Sequence, residues 1–197
     1  MKKSELIALI DMDGTMVDYN STMLAKLEEL RSPFESPVTK IEGAPDYIER
    51  RMELIKNNPG YWKSLPLIEE GIKIIDLFRE LQFILVVLTK GPKRCSTAWT
   101  EKYEWCMEHL PDASVTITQD KGGQYGKVLF DDWPPYITRW LEWRPRGLVL
   151  MLDQPWNQDF EQANLSQNII RVYRKNHLDY EKRMEYIKSR LRELIID

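Results

Sequence analysis

Four short runs in this chain are apolar on consecutive residues, and each one stops at a polar or acidic residue. Leu6-Ile7-Ala8-Leu9-Ile10 stops at Asp11, and Phe83-Ile84-Leu85-Val86-Val87-Leu88 stops at Thr89. Val128-Leu129-Phe130 stops at Asp131-Asp132, and Leu148-Val149-Leu150-Met151-Leu152 stops at Asp153. Unbroken apolar runs of this length suit strands buried on both faces of a parallel sheet. Helical patterns lie between them. Residues 69–81 carry Ile72, Ile75, Phe78 and Leu81 at helix-face spacing, and residues 94–110 carry Trp99, Tyr103, Cys106 and Leu110. Strands alternating with helices predict an α/β fold, a Rossmann-like open parallel sheet. In such sheets ligands bind beyond the carboxyl ends of the strands. Asp11, Thr89 and Asp131/Asp132 can therefore converge although they are far apart in sequence.

About seventy residues separate the first two strands, far more than the dozen or so that a crossover needs. Residues 20–31 and 45–57 read as helices, with Ser32-Pro33 and Ser36-Pro37 breaking the chain between them. Residues 17–66 are expected to form a small helical cap inserted after the first strand, with residues 1–16 and 67–197 forming the α/β core. Residues 178–196 read as an amphipathic helix with Met184, Ile187, Leu191, Leu194 and Ile195 on its apolar stripe.

Composition narrows the function. The 197 residues carry 28 Lys+Arg against 31 Asp+Glu, a net charge of −3. That balance gives no bulk attraction for a nucleic-acid polymer or an anionic membrane. Cys95 and Cys106 form no metal-ligand pattern and read as two reduced thiols. The segment Met1-Lys2-Lys3-Ser4-Glu5 leads into an apolar stretch too short for a signal-peptide core or a membrane span. The expectation is a cytoplasmic protein without a membrane partner. Of the late tryptophans, Trp133, Trp140, Trp143 and Trp156 are expected to pack a helix and a strand edge.

Asp11-Met12-Asp13-Gly14-Thr15 carries the chemistry. Two carboxylates at i and i+2 just past a strand can both reach the crest of the sheet once Gly14 turns the chain. One can act as a nucleophile and the other as an acid/base. A calcium loop begins in a similar way, but the acidic residue at its twelfth position and its flanking helices are absent.

On these residues the chain resembles the haloacid dehalogenase-like phosphatase superfamily, in four places. They are the strand and DxDG-Thr of Leu6–Thr15, the strand ending at Thr89, the lysine at Lys121, and the acidic pair Asp131-Asp132. It is more closely similar to the 5'(3')-deoxyribonucleotidase branch. There the resemblance rests on Asp18-Tyr19, Pro59-Gly60-Tyr61-Trp62, Leu65-Pro66, Glu101-Lys102-Tyr103-Glu104-Trp105 and Thr118-Gln119-Asp120-Lys121. The resemblance implies a Mg²⁺-dependent phosphatase of (deoxy)nucleoside monophosphates that works through an aspartyl-phosphate. It implies Asp11 as nucleophile and Asp13 as acid/base. The metal would lie among Asp11, the Asp13 carbonyl and Asp132, with Asp131 in support. Thr89, Lys90, Lys93 and Lys121 would hold the phosphate, and Tyr19 would stack on the base. Lys90 departs from the family's Thr-Ser-Pro pattern, and Thr15 stands where this branch often has Val. A phosphatase of another small metabolite and a catalytically silent nucleotide-binding protein are the alternatives. The partner implied is a small nucleotide, and a homodimer is compatible with the sequence.

Overall fold

The structure, a computed structural model, describes residues 6–160 and 168–196. The N-terminal segment 1–5 read above lies outside the described residues. Among the described residues, six parallel strands form one open sheet: β1 Ile7–Ile10, β2 Ile84–Lys90, β3 Ser114–Thr118, β4 Val128–Asp131, β5 Leu148–Leu152 and β6 Ile169–Val172. Their order across the sheet is β3-β2-β1-β4-β5-β6. The helices are α1 Tyr19–Glu29, α2 Asp46–Lys56, α3 Glu69–Glu80, α4 Thr97–His109, α5 Pro134–Trp143 and α6 Tyr180–Ile196. This is the expected Rossmann-like α/β architecture.

The four apolar runs are the four central strands. Side chains alternate faces along each strand, so a strand covered on both sides must be apolar throughout. In β1, Ala8 and Ile10 enter one buried cluster while Leu9 enters the other. The two strands that sequence reading missed, β3 and β6, are the two edges of the sheet. An edge strand is less completely covered, and β3 (SVTIT) is only partly buried along its length. β6 is four residues long and is interrupted by Arg171, so no apolar run announces it.

Helix α4 buries only part of the face that its apolar spacing predicts: Cys106 and Leu110 are buried. Its buried residues are Ala98, Lys102, Trp105 and Cys106, while Trp99 and Tyr103 are exposed. The inward face combines the apolar burial of Ala98, Trp105 and Cys106 with the ion pair of Lys102 to Asp13. In α6, Ile187 and Leu191 are buried, and Met184, Leu194 and Ile195 pack against the same cluster. Both cysteines are free and buried.

Between β1 and α3 the chain runs out through α1 and α2 and returns. The two passages lie side by side: Asp18 N donates to Pro66 O at 2.9 Å, and Ile68 N donates to Met16 O at 2.8 Å. Asp18 also caps α1, its carboxylate accepting from Ser21 N at 3.0 Å. Met23 and Leu27 of α1 and Ile48 and Ile55 of α2 join the same buried cluster as Met16, Val17 and Trp62. Helix α4 ties the returning passage down. Glu101 accepts from Gly60 N at 2.7 Å and Trp62 N at 3.0 Å, and Trp105 Nε1 donates to Leu65 O at 3.0 Å.

Candidate active site

The chain moves from β1 to β2 and β3 on one side, then returns to β4 on the other side of β1. That reversal opens a crevice at the carboxyl ends of β1 and β4. Asp11 stands one residue past β1, and its N–H still donates to Phe130 O of β4 at 2.8 Å. The chain then coils tightly, with Thr15, Met16 and Val17 N–H groups all donating to Met12 O. Gly14 makes this turn with φ +81°, a left-handed conformation that favours glycine. A Cβ at Gly14 would also lie 2.5 Å from Asp132 Oδ2, so the position has no room for a side chain.

Asp131 is the last residue of β4 and Asp132 the first beyond it, and the two carboxylates take different partners. Asp131 Oδ2 accepts from Lys121 Nζ at 2.8 Å, and its Oδ1 accepts from Trp133 N at 2.9 Å. Asp132 turns the other way. Its Oδ1 accepts from Thr15 Oγ1 at 2.7 Å and its Oδ2 from Trp156 Nε1 at 2.8 Å. Lys121, from the loop before β4, also reaches Asp11 Oδ1 at 2.6 Å. Asp11, Asp131 and Asp132 each place one carboxylate oxygen within 4.8 Å of the others, and all three are buried. One ammonium faces three carboxylates. Burial pushes the Asp11 carboxyl up to about 7; Lys121 works against this, while Asp131 and Asp13 add to it. Burial, then Asp11 and Asp131, raise Asp132 well above its ordinary value. Burial alone would lower Lys121, but Asp11 and Asp131 outweigh it and raise its pKa. A divalent cation fits this donor set. Its ligands are all hard oxygens, and a bound cation lets crowded carboxylates ionise together.

Asp13 belongs to a different neighbourhood. Its Oδ2 pairs with Lys102 Nζ, a fully buried ammonium on α4. Lys102 also donates to Thr89 Oγ1 at 3.1 Å and Lys90 O at 3.1 Å, and sits 4.5 Å from the Trp62 ring centroid. Asp13 Oδ1 has no hydrogen-bond partner among the described residues. Thr89 is fully buried, accepts from Lys102 and does not line the cavity.

Above these groups lies a cavity of about 430 Å³, lined by Asp11, Asp13, Lys90, Lys121 and Asp132 below. Tyr19, Trp62, Trp133, Tyr136 and Trp156 form aromatic walls. Lys90 is exposed and lies 5.3 Å from the Tyr136 ring, while Lys121 lies 4.6 Å from the same ring. Lys93 is exposed and does not line the cavity. Tyr19 stacks on Trp62, centroids 5.6 Å apart and 14° between planes, so one of its faces is already covered.

Two readings of the sequence need correction. Trp140 is buried in the core and Trp143 is exposed, but Trp133 and Trp156 are walls of the cavity, not packing residues. Both follow strand ends, where the sheet's crest opens. Lys102 was missed as a site residue because a lysine on a helix is by default solvated. The signal was its place in Glu101-Lys102-Tyr103-Glu104-Trp105, one turn from the buried Trp105 and Cys106.

The fold and site define a class before any one family. A structure from Thermotoga maritima, described as a beta-phosphoglucomutase, superposes with a TM-score of 0.55 at 15% identity, covering 93% of this chain and 99% of that one. A haloacid dehalogenase-like hydrolase, so described, from Burkholderia xenovorans gives 0.52 at 13% identity, covering 93% and 98%. At such identities the likeness shows the shared haloacid dehalogenase-like fold. No curated protein matches the chain in sequence. A family model does: the 5' nucleotidase, deoxy (pyrimidine), cytosolic type C protein (NT5C) family matches residues 5–175. The chain belongs to this family, and it is a phosphoric monoester hydrolase of the haloacid dehalogenase-like type. Among the described residues no helix is long and apolar enough to cross a membrane.

Proposed function

We propose that this protein is a Mg²⁺-dependent phosphatase of (deoxy)nucleoside monophosphates, working in the cytosol. The observation that carries the proposal is the division of labour at Asp11 and Asp13. Two carboxylates share one short turn, yet each has its own lysine and its own electrostatic setting.

In this reading a carboxylate oxygen of Asp11 attacks the phosphorus and the ester P–O bond breaks, leaving an aspartyl-phosphate. Asp13, which lines the cavity, gives its proton to the departing alkoxide. Asp13 then takes a proton from water, whose oxygen attacks the same phosphorus. The P–O bond to Asp11 breaks, inorganic phosphate leaves and Asp11 is regenerated. In this reading Lys121 and Lys90, which line the cavity, neutralise the phosphoryl oxygens, while Thr89 lies behind them and acts by holding Lys102. Lys93 is left out, being off the cavity. The metal would be held by Asp11, Asp132 and the Asp13 carbonyl, with Asp131 supporting through Lys121. When bound it supplies positive charge that offsets the repulsion between Asp11 and a phosphate dianion.

Residues 17–66 act as the cap in this proposal, with 1–16 and 67–197 as the catalytic core. The cap contributes Tyr19 and Trp62 to the aromatic wall, and a nucleobase is a suitable flat occupant for it. Tyr19 contributes only the face that Trp62 leaves open.

A phosphate-release panel with Mg²⁺ tests the substrate. Nucleoside monophosphates are expected to be hydrolysed faster than sugar phosphates, and Asp11→Asn is expected to reduce release to background. Sugar phosphates turned over as fast as nucleotides would sink the nucleotidase reading while leaving the phosphatase chemistry intact.

A further inference from the structure

We propose that Trp156 is a positioning residue that locks the Asp132 carboxylate in place for the cation. The proposal rests on the reading of Asp11, Asp131 and Asp132 as a metal site. Asp132 is 3% exposed and faces two other carboxylates, so repulsion tends to turn it away from them. One donor holds each of its oxygens: Thr15 on Oδ1 and Trp156 on Oδ2. Two donors on opposite oxygens fix both the position and the rotation of a carboxylate. A second lone pair on each oxygen is left for a cation.

Trp156 can do this because its own turn is anchored. It is the middle residue of a single 3-10 turn, Pro155–Asn157, that follows β5. Asn157 Nδ2 donates to Asp132 O at 2.8 Å and to Leu152 O at 2.8 Å. Gln154 Nε2 donates to Gly14 O, on the loop that carries Asp11 and Asp13. Arg171 of β6 holds Asn157 Oδ1 at 2.8 Å and Asn157 O at 3.0 Å, and Arg174 holds Gln154 Oε1 at 2.9 Å. Three residues within one turn thus donate to Asp132 and to the loop opposite it. Gly14 closes the slot from the other side, where a Cβ would meet the same Oδ2. An indole N–H is a donor only, on a rigid ring with one orientation.

Calorimetric titration with Mg²⁺ alone, without substrate, tests the proposal. Trp156→Phe keeps an aromatic ring and removes the donor; its Mg²⁺ affinity is expected to fall about 10–100-fold, the usual cost of losing an outer partner of a metal ligand. Trp156→His keeps a ring N–H and is expected to bind Mg²⁺ more tightly than Trp156→Phe. A packing role predicts the reverse order, because Phe fills more of the space. Trp156→Phe with an affinity within about two-fold of the parent chain overturns the proposal, and so does His binding more weakly than Phe. If Trp156→Phe does not fold, Trp156→His carries the test: affinity at the level of Asp132→Asn overturns the proposal, and intermediate affinity supports it. Asp132→Asn that binds Mg²⁺ as the parent does removes the metal-site reading itself, an outcome distinct from an indifferent Trp156.

Discussion

The two sides of the β1 crest solve opposite electrostatic problems with the same residue type. On the β4 side, Lys121 is shared between Asp11 and Asp131, with Asp132 close by, so three carboxylates face one ammonium. On the β2 side, Lys102 faces Asp13 alone and spends its other bonds on Thr89 and the Lys90 carbonyl. The first side carries excess negative charge and calls for a cation. The second is balanced, one ammonium to one carboxylate, at a residue that lines the cavity. Two aspartates two residues apart can therefore hold different roles, because their surroundings differ and not their own chemistry.

Removing each lysine separates the two sides. Lys121→Met leaves three buried carboxylates with no cation, and loss of one partner of a buried pair costs about 3–5 kcal/mol. The variant's Tm is expected to fall, and added Mg²⁺ is expected to raise it by more than in the parent chain, since a ligand bound only by the folded state stabilises it. Thermal melts with and without Mg²⁺ check this, and an unchanged Tm would remove the contrast between the sides. Lys102→Met is expected to cost less stability, because the Asp13 side chain is 28% exposed and water can reach it. Its effect falls on kcat, by about 10²–10⁴-fold, the range of general acid–base catalysis. A loss seen only in KM would deny Asp13 its separate role. The smallest effect sets the scale for both. Arg79 holds the Asp112 carboxyl below its ordinary value from the protein surface. That contribution is present above pH about 4 and lost as pH falls through the lowered folded value. Arg79→Met should cost under about 1 kcal/mol in urea melts at neutral pH, and less still in acid.

How much of this was legible follows from burial. β1, β2, β4 and β5 could be read because central strands are apolar on every residue. β3 and β6 could not, because edges are not. The Asp11–Thr15 loop could be read because its chemistry is local. Lys102 was harder to read, because its neighbours Trp105 and Cys106 mark an inward face but not a partner for the charge, and that partner is 89 residues away. Trp156 was hidden for a similar reason, its acceptor lying 24 residues away, just past the end of β4.

The sequence by itself determined which strands carry polar ends, and so which carboxylates meet at the crest. It also determined the turn, since Gly14 is needed for its positive φ. Tertiary structure decided the pairings: Lys121 with Asp11 and Asp131, Lys102 with Asp13, Thr15 and Trp156 with Asp132. Charge type is written residue by residue, but the partner of a charge is set by which strand lies beside which. Strand order is a property of the packed sheet and not of any one segment.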